Sequence, residues 1–151
     1  TNNQGLWLQQ EDGSFRLLLR KGDTLSDSSG ARIAAIQRVA FNSLGGHYAV
    51  LVSLTASSPV SNQALLTGNV LGPTLQFSAF RCAELRVRKG DVFREPDGTP
   101  RTLTSLAFTT NGNDPTGAGG KGLALQINDS GELLLKATFN DGSVRLLKGR
   151  P

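Results

Sequence analysis

Few side chains here could carry covalent or acid–base chemistry, and their types and spacing argue against each in turn. His47 is the single histidine and Cys82 the single cysteine of 151 residues. A serine or cysteine nucleophile needs an imidazole beside it and a third group to orient the ring. One histidine beside an apolar strand is ordinarily structural, and one Cys with one His cannot fill a zinc site. Asp12, Asp23, Asp91, Asp97, Asp129 and Asp141 sit in turn contexts and form no recognisable acid and nucleophile pair. The loop Gly117-Ala118-Gly119-Gly120-Lys121-Gly122 has the glycines of a phosphate cradle. It lacks a Ser or Thr after Lys121, and a strand rather than a helix follows. Asn111, Asn113 and Asp114, with Asp129, offer hard oxygens for calcium, but no glutamate completes the loop and the same residues serve turns. No catalytic residue, no metal site and no cofactor is expected.

The basic residues are the remaining candidates. The net charge is +4, with 11 Arg and 5 Lys. Arginine suits bidentate contact with carboxylate, sulfate or phosphate. Simple alternation places Arg16 and Arg20 on one face of a strand and Arg86 and Arg88 on one face of another. Together with Lys21, Lys89, Arg145 and Lys148 they could form a positive ladder for an acidic glycan or a protein. The charge excess is too small to imply nucleic acid. The Lys-Gly-Asp tripeptide at two turns resembles an adhesion motif, but turn geometry is enough to explain it.

These residues sit on a duplicated framework. Arg20-Lys21-Gly22-Asp23 recurs as Arg88-Lys89-Gly90-Asp91, and Asn3-Gln4-Gly5-Leu6 is echoed 59 residues later by Asn62-Gln63-Ala64-Leu65. Each basic turn follows a short apolar strand, Phe15 to Arg20 or Glu84 to Arg88. Each precedes a second apolar stretch, Ile33 to Phe41 or Thr102 to Thr109. Such duplication signals a repeat architecture. Asp12-Gly13, Asp97-Gly98 and Asp141-Gly142 read as hairpin turns. Tyr48 to Leu54 is almost continuously apolar, as a strand buried on both faces would be. Ala31 to Phe41 carries Ile33, Ile36 and Ala40 at helical spacing. Its counterpart contains Pro100 and β-branched threonines, so strand is the better assignment for both. Leu75 to Phe80 and Gly122 to Asn128 also read as strands.

The reading is all-β: two tandem four-stranded antiparallel units, like blades of a β-propeller, with a β-sandwich as the alternative. Residues 1–61 form the first unit. Residues 62–142 form the second, with a glycine-rich insertion at 111–122. Residues 143–151 begin a third unit or complement an open edge. No run nears the about 18 apolar residues a membrane span needs. The chain contains no methionine and shows no signal peptide, which suggests a processed chain or a fragment. A lone cysteine leaves stability to packing and strand pairing.

The stretch Asn128-Asp129-Ser130-Gly131-Glu132, through Phe139 to Asp141-Gly142-Ser143, resembles a bacterial tandem-repeat family described by an Asn-x-x-Gly-x-x-Ala-Phe motif. Phe15 to Asp23 shares that family's strand leading to an Arg-x-Gly-Asp turn. Leu134-Leu135 stands where the Ala-Phe pair would be. The resemblance implies a propeller-like, secreted or surface protein with no catalytic residues to carry over. The expected function is therefore a non-enzymatic extracellular module that assembles with itself, or with flanking repeats, through edge strands. Binding of acidic polysaccharide is the second reading, and a fragment of a hydrolase the third.

Overall fold

The computed structural model describes residues 3–25, 30–42, 46–55, 59–70, 83–108, 127–128 and 130–150. The strands are β1 (Gly5–Gln9), β2 (Phe15–Arg20), β3 (Arg32–Phe41), β4 (His47–Thr55), β5 (Gln63–Asn69), β6 (Glu84–Arg88), β7 (Val92–Arg94), β8 (Pro100–Phe108), β9 (Leu133–Phe139) and β10 (Val144–Gly149). One 3₁₀ turn, Pro59–Ser61, is the sole helical element among the described residues. The fold is all-β, and its strands pair antiparallel throughout. Cys82, the glycine-rich insertion, the oxygen donors Asn111, Asn113, Asp114 and Asp129, and the expected strand Leu75 to Phe80 lie outside the described residues. So does most of Gly122 to Asn128, where Ile127 bridges to Leu133.

Three sheets stack. The hairpin β1–β2 forms the first, β3-β4-β5-β6 the second, and β7-β8-β9-β10 the third. One face of the middle sheet, with Tyr48, Val50, Val52, Ala64 and Leu66, packs on Leu6, Leu8, Leu18 and Leu19 of the hairpin. The other face, with Ala49, Leu51 and Leu65, packs on Leu106, Leu133, Leu135 and Ala137 of the third sheet. This double burial is why β4 reads as an unbroken apolar run. The strand β9, covered on one side, instead alternates buried and exposed residues.

Two pairs of strands share a register. The β1–β2 register matches that of β5–β6 pair for pair: Leu6↔Leu19 answers Leu65↔Val87, and Trp7↔Leu17 answers Leu66↔Leu85. Both carry a bulge at the same step, at Leu18 in one copy and Arg86 in the other. Ile33↔Leu54 and Ile36↔Val52 likewise answer Leu103↔Phe139 and Leu106↔Ala137. Four-stranded sheets form as expected, but they do not coincide with the sequence units. The middle sheet takes β3 and β4 from residues 1–61 and β5 and β6 from residues 62–142.

Bulges also explain the interval of three between Ile33 and Ile36 in β3, whereas Ala40, the third residue of the helix-like spacing, pairs with Ala49 on the opposite face. The register shifts between Ile33 and Ala35 and again between Ile36 and Arg38. Each shift adds a residue to one strand of the pair. Ile33, Ile36 and Val39 thus share a face at intervals of three, against partners Leu54, Val52 and Val50 at intervals of two.

Candidate functional site

The two basic turns are built alike. Gly22 and Gly90 adopt φ of 94° and 99°, a region where a side chain would be strained. Their N–H groups donate to Ile33 O and Leu103 O, both at 2.8 Å. Asp23 accepts from Arg20 N, and Asp91 from Arg88 N, each at 2.8 Å. The Lys-Gly-Asp aspartates are therefore occupied in closing their own turns.

The Asp-Gly turns share a second design. In each, the carboxylate caps the backbone two residues on: Asp12 accepts from Ser14 N, Asp97 from Thr99 N and Asp141 from Ser143 N. The Asp12 carboxyl is held below the ordinary carboxylate range by the Ser14 side-chain and backbone donors. Asp97 is lowered in the same way by Thr99. Glu132 is lowered by the Asn128 amide and then by Lys148. These shifts come from the hydrogen bonds that close the turns and, for Glu132, also from Lys148.

His47 is held by the loop that precedes β4. Its backbone N–H donates to Asn42 Oδ1 at 2.9 Å, and buried Asn42 donates in turn to Asn128 O. The ring lies against the Cα of Gly131, where an added Cβ would come within 2.9 Å of Cδ2. Among the described residues Nδ1 has no hydrogen-bond partner. This cluster ties the loop after β3 to the turn before β9, which is a structural task. No group of His, Cys, Asp and Glu among the described residues is arranged to hold a metal ion.

The basic residues do not form the single ladder that alternation predicts. The bulge at Leu18 leaves Arg16 opposite Leu8, on the face turned to the middle sheet, and Arg20 opposite Gly5 on the other. The bulge at Arg86 does the same in the second copy. Arg86 reaches Thr67 Oγ1 at 2.8 Å, while Arg88 lies opposite Ala64 on the reverse face. Most of these cations also engage their own chain. Arg20 pairs with Asp23, Arg86 with Glu84, Arg145 with Glu95 and Lys148 with Glu132. Arg88 donates to Ser61 O, and Lys89 to Pro59 O. Lys21 lies half-buried at its turn.

Open strand edges and the surfaces beside them are the features left uncommitted. The strand β5 is paired on both sides, by β4 and β6. Among the described residues, its equivalents β1 and β10 pair on one side each, with β2 and β9. Beside β10 lies a cleft of 420 Å³ between the second and third sheets. Leu65, Thr67, Arg86 and Val87 line one wall, and Leu133, Leu135 and Leu147 the other. At the far ends of the stack Trp7, Phe15 and Leu146 are 56%, 64% and 62% exposed.

One pairing of residues carried a sequence signal whose role the sequence did not disclose. The Gln63 amide bridges from the middle sheet to the third, accepting from Leu106 N at 2.9 Å and donating to Leu106 O at 3.0 Å. Gln4 accepts from Ile36 N at 3.1 Å in the first copy. The Asn-Gln echo thus marks a clasp between successive sheets.

Stacked antiparallel sheets define an all-β protein. The chain belongs to a family of unknown function, DUF7453, whose model matches residues 1–145. No curated protein and no solved structure matches it.

Proposed function

We propose that this chain is a non-catalytic structural and interaction module, acting outside the cell, that joins copies of itself head to tail through its open sheet ends. The observation that carries this reading is the strand count. Among the described residues β5 has two neighbouring strands, whereas β1 and β10, in equivalent positions, have one each. An unpaired edge exposes a row of N–H and C=O groups that another strand can use. Stacking of like sheets supports a propeller-blade-like description of the array, and the resemblance to secreted repeat proteins supports the location. No helix among the described residues is long and apolar enough to cross a membrane. An acidic polysaccharide is the weaker alternative, because the cations meant to bind it are spread over several faces and mostly paired within the chain. Size-exclusion chromatography with light scattering tests the proposal. Mass that grows with protein concentration is expected, and a strict monomer throughout overturns it.

A further inference from the structure

We propose that β10 is a displaceable strand occupying the seat of the β1–β2 hairpin of a second copy, so that copies join by exchanging one for the other. This rests on the self-association proposed above and names its donor and acceptor.

The equivalence is residue by residue. The pairs Thr138↔Val144, Ala137↔Arg145, Lys136↔Leu146 and Leu135↔Leu147 reproduce Ser53↔Gln63, Val52↔Ala64, Leu51↔Leu65 and Val50↔Leu66. Thus β9 holds β10 as β4 holds β5. The element of this chain that matches β5–β6 strand for strand, bulge included, is β1–β2. Among the described residues its first strand has no counterpart of the neighbour that β4 provides to β5, and β9 is the equivalent of β4.

β10 fills this position poorly. Four consecutive residues of β5 are buried, whereas β10 is exposed along its length except for a half-buried Leu147. Val144 stands where β1 and β5 carry the clasping glutamines Gln4 and Gln63, and has no amide to offer. No described strand stands beside β10 where β6 stands beside β5, and a 420 Å³ cleft separates β10 from the β5–β6 face of the middle sheet. A seated hairpin supplies what is lacking. Trp7 would take the position of Leu147, facing Leu135. Leu17, opposite Trp7, and Phe15 would lie over Val87 and Arg86. In the single chain Trp7 and Phe15 are 56% and 64% exposed. The product is a sheet β8-β9 from one copy and β1-β2 from the next, in the strand order of the middle sheet. Donor and acceptor differ, so the contact is heterologous and propagates.

The experiment locks the seat. Lys136→Cys with Leu146→Cys, in a Cys82→Ser background, places two thiols at directly opposed exposed positions of β9 and β10. Mass by light scattering and emission of Trp7, the single tryptophan, are read against concentration, oxidised and reduced. The reduced form should associate with a blue shift. The oxidised form should remain monomeric with the emission of an exposed indole. Leu147→Asp, which loosens β10, should strengthen association, and Trp7→Lys should abolish it. Equal amounts of Trp7→Lys and oxidised lock variant should combine into a heterodimer and nothing larger, since the first keeps only a seat and the second only a donor. That capped dimer is the expected product. Association undiminished by the oxidised lock overturns the exchange while leaving self-assembly standing. Monomers in every sample, Leu147→Asp included, overturn self-assembly itself.

Discussion

Replacing Gln63 by alanine tests whether the glutamine clasp holds the sheets together. Leu106 is 2% exposed, and its N–H and C=O point away from β9, where the Gln63 amide acts as a neighbouring strand's peptide would. Gln63 Nε2 also lies 3.0 Å from Gln37 Oε1. Truncation leaves two backbone groups without a partner, and an unsatisfied buried group costs about 1–3 kcal/mol. The adjoining cleft beside Gln37, Leu51 and Leu106 can admit water, which favours the lower end. The expected loss is therefore about 2–4 kcal/mol, or roughly 4–16 °C in Tm for a chain of this size. Gln4→Ala is the internal control. Gln4 is exposed and accepts one hydrogen bond, from Ile36 N, so its loss should be about 1 kcal/mol or less. Urea denaturation followed by circular dichroism, with m unchanged, gives both values. If Gln63→Ala lies within about 0.5 kcal/mol of wild type, or if Gln4→Ala costs as much, the clasp argument is refuted.

Gly131→Ala should destabilise twice over, through its φ of 76° and through a Cβ 2.9 Å from the His47 ring. The left-handed conformation alone costs about 1–2 kcal/mol. His47→Ala should relieve the contact but not the φ strain, so the double variant should be more stable than the summed singles by about 0.5–1 kcal/mol. Additive denaturation energies would refute the contact. Acid should also weaken the fold. The lowered carboxyls of Asp12, Asp97 and Glu132 bind protons more readily in the unfolded chain, so their contribution is full above the unfolded pKa and fades as pH falls through the lower folded values. The urea midpoint should hold between pH 7 and about pH 5 and decline below about pH 4. Asp97→Asn should make that decline shallower, and a midpoint that rises on acidification would contradict the assignment.

The sequence revealed strands and turns better than faces. Asp-Gly turns and the Gly22 and Gly90 positions are legible because positive φ and carboxylate capping demand particular residues. The buried β4 is legible because double burial removes alternation. Bulges are not: Leu18 and Arg86, the equivalent bulge residues, share no side-chain chemistry, yet each reverses the facing of the residues beside it. A ladder of arginines drawn from alternation therefore fails at that step. The same device in β3 produces intervals of three that imitate a helix. The comparison with Pro100 and its neighbouring threonines identified the strand correctly without finding the bulges that caused the spacing.

The sheets are offset from the sequence repeat because β5 pairs with β4 across the unit boundary while Gln63, at the start of β5, reaches forward to Leu106. Each unit thus spends its first two strands completing the preceding sheet and its next two beginning another. Neither half can bury its apolar faces alone: Val50 and Val52 need the hairpin below, and Leu51 and Leu65 the sheet above. Interlocking of this kind joins neighbouring layers through hydrogen-bonded ladders as well as through packing, so a layer can be removed only by breaking both. At the middle sheet every strand position is filled by this rule. Among the described residues no strand pairs with the second edge of β1 or of β10, and the two positions correspond to opposite halves of the middle sheet.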